Sequence, residues 1–304
     1  VRNAFTVAAL LSTLVLTVAL VQQSRSEVNS SRATQEPVAN TVSSGAPRFK
    51  KIMIIVLENT SYDDAVKQPF LASLIRRGAL LTRFSGETHP SQPNYIALIS
   101  GSTHGVRTDD NVTIDARHIG DLLEAKGLQW KVYAEGYPGS CFLGARSDGY
   151  ARKHLPFLSF TDVQTDPIRC ARIVDASHLS QDMRAGTLPD YSLYIPELRN
   201  SGHGTGVAYA DRWLSATFGP LLQSRELTKR LLLVVTFDED HPSQLFPSSN
   251  HILTVLLGDS VNPGAKSDKA YNHYSLLRLI ENEFDLGDLN ENDAQAPEIT
   301  GIWK

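Results

Sequence analysis

The sequence is short of cysteine, of basic charge and of internal repetition. Only Cys141 and Cys170 occur in 304 residues. Neither has a His or a second Cys nearby at metal-binding spacing, which excludes a thiolate metal centre. Lys and Arg (29) are outnumbered by Asp and Glu (33), for a formal net charge of -4. Phosphate-backbone binding needs a concentrated basic face, so the balance argues against a nucleic-acid partner. The stretch from Glu281 to Glu298 reinforces this, with acids throughout and no Lys or Arg. A chain that is 41% hydrophobic and 20% charged is also neither collagen, coiled coil nor globally disordered.

What is present begins with a leader. Ala4 to Val21 is uncharged and apolar, preceded by Arg2 and followed by Gln22, Gln23 and Ser24. Such an N-terminal run reads as a secretory signal or a signal anchor over residues 1–21, not as part of the fold. Thr17-Val18-Ala19 offers small residues for cleavage, and the run could also just span a bilayer. The expectation is an exported chain, secreted or periplasmic, that meets a membrane only through this segment if it stays uncut. Residues 22–48 are Ser-rich without apolar periodicity and read as a disordered linker. In an exported chain the two cysteines read as a structural disulfide, contributing roughly 3–4 kcal/mol on the chain-entropy model; two buried thiols are the rival reading.

Residues 49–304 are expected to form one α/β catalytic domain. Continuous apolar runs at Lys51 to Leu57, Trp130 to Ala134, Ser192 to Ile195, Leu231 to Phe237 and Ile252 to Leu257 mark strands covered on both faces. Helical patterns lie between and after them, at Pro69 to Arg77, Ile119 to Ala125, Ala208 to Phe218 and His273 to Phe284. Alternation of this kind implies a mostly parallel sheet flanked by helices. Tyr137 to Ala185 is irregular and reads as an inserted cap held by the disulfide.

Ligands of open α/β sheets collect beyond the carboxyl ends of the strands. Two strands here end in acid, at Glu58-Asn59 and at Asp238-Glu239-Asp240. Carboxylates at two such ends can converge on one hard cation, and an oxygen-rich set admits several divalent ions. Between them, Pro93 suits the first turn of a helix that Gly101 stops, so Thr88 and Ser91 lie where amides and the helix dipole favour a phosphoryl group. Capping alone explains one hydroxyl but not the neighbouring acids.

Four runs occur in order: Glu58-Asn59, Glu87 to Tyr95 (Glu-Thr-His-Pro-Ser-Gln-Pro-Asn-Tyr), Tyr150 to His154 (Tyr-Ala-Arg-Lys-His), and Thr236-Phe237-Asp238-Glu239-Asp240. Together they resemble the phosphoesterase family of the alkaline-phosphatase superfamily, and within it the small mycobacterial-type secreted acid phosphatases. The resemblance spans about Lys51 to Trp303 and implies the superfamily's three-layer α/β sandwich. By position it implies Glu58, Asn59, Asp238 and Glu239 as ligands of a divalent metal, Thr88 as nucleophile, and Asn94, Lys153 and His154 on the substrate side. His203, in Gly-His-Gly-Thr-Gly, matches a family His suited to proton transfer, while His273 reads as a packing group. The chain departs from the family pattern in Gly204 after His203 and in His241-Pro242 after the Asp-Glu-Asp run. The implied function is a metal-dependent phosphomonoesterase working through phosphothreonine on a phosphate-ester substrate. The alternatives are a phosphodiesterase of phospholipase C type and a non-catalytic, metal-stabilised surface protein.

Overall fold

Lys51–Leu57 forms β1, and from Ile52 to Leu57 every residue is buried, as expected of a strand enclosed on both faces. The structure, a computed structural model, describes residues 47–224, 228–241 and 249–304. The expected leader and nearly all of the linker lie outside the described residues. Among the described residues no helix is long and apolar enough to cross a membrane.

The other strands are β2 (Ala79–Ser85), β3 (Trp130–Ala134), β4 (Arg146–Ser147), β5 (Tyr150–Ala151), β6 (Ile173–Asp175), β7 (Tyr191–Ile195), β8 (Leu231–Phe237), β9 (His251–Leu257) and β10 (Lys266–Asn272). Eight of the strands make one sheet in the order β10-β2-β9-β8-β1-β7-β3-β6, with β4 and β5 a separate pair. Within the eight-stranded sheet all pairings are parallel except the two made by β9, with β8 and with β2. This reversal puts the leading end of β9 beside the carboxyl ends of β2 and β8.

The helices are α1 (Tyr62–Ala65), α2 (Pro69–Arg77), α3 (Ser91–Ser100), α4 (Ile119–Ala125), α5 (Thr161–Thr165), α6 (Pro167–Cys170), α7 (His178–Ala185), α8 (Val207–Phe218) and α9 (His273–Phe284). All ten residues of α3 are buried, so it is an interior helix rather than an amphipathic one. Gly101 ends it at φ 70°, a left-handed value suited to glycine, and a side chain there would collide with Asp293. α9 carries a capping box between Asn272 and Ser275 and buries His273, Leu276, Leu277 and Ile280. The central strands bring Ile52, Ile54, Val234, Val235 and Val255 to complete burial. Each such side chain contributes on the order of 2 kcal/mol through burial.

The expected elements stand within a residue or so, but Tyr137 to Ala185 is not irregular. It holds β4, β5, α5, α6, α7 and the edge strand β6 of the main sheet. The Cys141–Cys170 disulfide is formed, with 5.6 Å between the Cα atoms.

Candidate active site

The β1–β8 ladder runs one residue past the strands, where the Asp238 N–H donates to the Leu57 carbonyl at 3.0 Å. That register sets Glu58, Asn59, Asp238 and Glu239 side by side. Glu58, Asp238 and Glu239 are all buried, exposed by 2% or less. Asn59 turns the chain at φ 34°, a left-handed value that Asn tolerates. Its N–H donates to Asp238 Oδ1 (3.1 Å) and its Nδ2 to Glu239 Oε1 (2.8 Å). Asn59 Oδ1 and Asp238 Oδ2 are buried without a hydrogen-bond partner.

Packed acids repel each other's charge. Burial pushes the Asp238 carboxyl well above the usual range, and the charges of Glu58 and Glu239 add to the rise. Burial likewise raises Glu239, against the pull of His89. Burial also acts to raise Glu58, but the His154 charge and hydrogen bonds from His154 and Tyr95 outweigh it and the net shift is downward. Three buried carboxylates with two orphaned oxygens are the donor chemistry of a hard divalent cation.

The loop from Gly86 to Pro90, with a cis His89–Pro90 peptide, leads from β2 into α3. It is tied to both acid-bearing ends. Ser91 Oγ lies 3.3 Å from Glu58 Oε2 and donates to Glu239 Oε1 at 3.1 Å. The Tyr95 hydroxyl donates to Glu58, and His89 Nδ1 meets Glu239. Thr88 is half-buried, with its hydroxyl 3.2 Å from the His89 carbonyl. Behind it, His273 Nε2 meets the Asp238 carbonyl at 2.8 Å, and burial lowers its pKa to about 4. The expected packing role of His273 is thus a specific one. Glu87 accepts from the His273 N–H at 3.0 Å, at the amino end of α9, and burial raises its pKa to about 7.

The other expected residues surround this group. Asn94 is fully buried; its Oδ1 accepts from the N–H groups of Glu87 (2.8 Å) and Thr88 (3.0 Å), and its Nδ2 donates to the carbonyls of Thr88 (2.8 Å) and Pro90 (3.1 Å). These four bonds make Asn94 a clamp on the loop. His154 is also buried, its Nε2 3.1 Å from Glu58 Oε2, which makes it a support for that acid. Lys153 is ion-paired with Asp109 at 2.7 Å. His203 is exposed near this flank, its ring 6.3 Å from that of His154. The loop carrying His203 is fixed to β1 by the Glu58 N–H, which donates to the Ser201 carbonyl at 3.0 Å.

Sequence reasoning missed Tyr95, His89 and Asn250 as members of this constellation. Tyr95 and His89 sit inside the motif that carried the resemblance; Asn250 has no local signal. A second set of possible metal-binding groups, His118, Asp121 and Asp162, lies apart. There Arg169 already bridges Asp121 (2.7 Å) and Asp162, so its guanidinium supplies the charge that a cation would. A cavity of about 490 Å³ lined by Lys51, Trp130, Arg172 and Leu188 opens at the amino ends of the strands, on the opposite edge of the sheet.

Comparison with known proteins gives the family and the fold. The model of the phosphoesterase family matches residues 64–287. A probable acid phosphatase of Kluyveromyces lactis is 33% identical over 97% of this chain and 72% of its own length. A phosphatidylinositol-3-phosphatase of Mycobacterium tuberculosis is 32% identical over 88% of this chain and 87% of its own. Among solved structures, a Vibrio parahaemolyticus protein of the alkaline phosphatase superfamily superposes with a TM-score of 0.59. It covers 84% of this chain and 72% of its own at 14% identity, a likeness of fold.

Proposed function

The chain belongs to the phosphoesterase family, and from that premise we propose that it is an exported phosphoric monoester hydrolase of the acid phosphatase type. The observation that carries this reading is the pair of orphaned buried oxygens, Asn59 Oδ1 and Asp238 Oδ2. They lie among three buried acids, beside the loop that presents the Thr88 hydroxyl.

Glu58, Asn59, Asp238 and Glu239 would hold one divalent cation. When bound, it supplies a Lewis acid that lowers the pKa of a nearby hydroxyl and offsets phosphate charge. Thr88 gives up its hydroxyl proton to solvent and Oγ1 attacks phosphorus in line; the new Oγ1–P bond forms as the P–O bond to the alcohol breaks. His203, on the exposed flank, gives the leaving alcohol its proton. Water then attacks the phosphothreonine and gives one proton to His203; the Oγ1–P bond breaks, inorganic phosphate departs with the other water proton, and Thr88 leaves as the alkoxide ready for the next turn or for a proton from solvent. Asn94 fixes the peptide groups around Thr88, and His154 holds Glu58. Lys153 meets the substrate phosphate by exchanging its Asp109 partner for it.

The test assays p-nitrophenyl phosphate beside its bis ester, with and without chelator, and acid-quenches turnover to locate phosphate by mass spectrometry. The monoester should be the faster substrate, chelator should stop it, a divalent cation should restore it, and the label should sit on Thr88. Faster diester turnover would make the protein a phosphodiesterase, and no turnover of either ester with metal bound would make the site non-catalytic.

A further inference from the structure

We infer that Asn250 is a positioning residue for phosphoryl transfer, holding the peptide of Thr88 against the acid-bearing loop after β8; this rests on the reading of Thr88 as the nucleophile. Asn250 stands just before β9, the strand that runs against its neighbours. That reversal is what brings it to the edge where β2 and β8 end.

Three hydrogen bonds make it a bridge. Asn250 Oδ1 accepts from the Asp240 N–H at 2.8 Å, and Asn250 Nδ2 donates to the Thr88 carbonyl at 3.1 Å. Its own carbonyl accepts from the Gly86 N–H at 2.9 Å. The side chain is 9% exposed, and the backbone takes φ 51°, a left-handed value open to Asn and Gly. Gly86 completes the fit. A Cβ there would lie 2.7 Å from both Asn250 Nδ2 and the Asp238 carbonyl, so only glycine lets the end of β2 come this close.

Two amides therefore converge on one carbonyl. Asn94 reaches the Thr88 oxygen from the helix that follows it, at 2.8 Å, and Asn250 reaches it from β9. Asn94 fixes Thr88 relative to its own helix. Asn250 fixes Thr88 relative to the segment that carries Asp238 and Glu239. His89 and Ser91 also reach Glu239, but through side chains that follow Thr88, whereas Asn250 grips its peptide. An in-line displacement is sensitive to such placement, and an error of about 1 Å can cost on the order of 100-fold in rate.

Two variants test this. Asn250→Gly removes the amide while keeping a residue that accepts the left-handed backbone. Asn250→Asp keeps an acceptor for the Asp240 N–H but sets an oxygen against the Thr88 carbonyl. Both should slow phosphoenzyme formation from p-nitrophenyl phosphate in rapid-quench experiments by about 10- to 100-fold, with KM within about threefold of wild type. Metal content by elemental analysis and the melting temperature should stay near wild type. A rate within about twofold of wild type in both variants would overturn the inference. So would a loss that tracks lost metal or lost melting temperature in both, since that is the mark of a folding role. Thr88→Ala, measured alongside, separates the two levels: its activity would refute the nucleophile itself, whereas a dead Thr88→Ala beside normal Asn250 variants would refute only the positioning role.

Discussion

The Thr88 hydroxyl can be deleted without touching what holds its loop. The three bonds from Asn94 and Asn250 all end on the Thr88 backbone. Thr88→Ala should therefore keep its fold and metal while turnover falls by at least about a thousandfold; a tenth of wild-type activity would contradict the covalent route. A second residue governs stability rather than turnover. Glu281 is 2% exposed, and its carboxyl faces Asp293, to which it donates a hydrogen bond when protonated, and Asp288, with Arg278 as the nearby cation. Burial and the Asp293 charge raise its pKa from 4.5 to about 9. The folded state thus holds this proton more tightly than the unfolded chain. Its stabilising effect is complete below about pH 4.5 and is lost progressively as pH rises towards 9. Glu281→Gln, which keeps a donor facing Asp293, should melt on the order of 5 °C above wild type at pH 8 and close to it near pH 5. Thermal melts across that range decide it; a constant difference at every pH would point to packing instead. That Glu58, Asn59, Asp238 and Glu239 come together was legible because each lies in a short local run at the end of a strand. The bond from Asn250 to Thr88 was not, because it spans a separation of 162 positions.

Elements were legible where burial is two-sided. β1, β3, β8 and β9 announce themselves as apolar runs because both faces are covered. β10, whose residues Lys266, Asp268, Lys269 and Ala270 are exposed, is an edge strand and carries no such run. β6, three residues at the other edge, is too short to register, and it hides in the stretch that reads as irregular. Within that stretch, two independent ties hold the segment that leads to His154. The disulfide closes a separation of 29 residues. Arg152 donates to the carbonyls of Leu143 (2.8 Å), Val112 (3.0 Å) and Leu158 (2.8 Å). Reduction should therefore loosen the segment without unfolding it. We expect a loss of roughly 3 kcal/mol, read as a melting temperature lower by about 5–10 °C, with KM raised more than kcat is lowered. Two free thiols in the native, non-reduced protein, or an unchanged melt after reduction, would contradict this.

The arrangement of the whole sheet could not be read from the chain, since pairing partners are set by long-range contacts that leave no local mark. β1 is central, yet its neighbours are β7 and β8. A fragment ending at residue 230 lacks β8 and should leave one hydrogen-bonding edge of β1 without its partner. Far-UV circular dichroism and limited proteolysis should find it largely unstructured, and a protease-resistant fragment with native-like strand content would refute this. The same strand order also sets a timetable. A ribosome adds about 5–20 residues per second, so β1 emerges well before residue 231 exists to pair with it, and the growing chain stays open through most of its synthesis. On the export proposed above, that delay would be an advantage: the first strand made cannot lock the domain shut before the last quarter of the chain has been delivered.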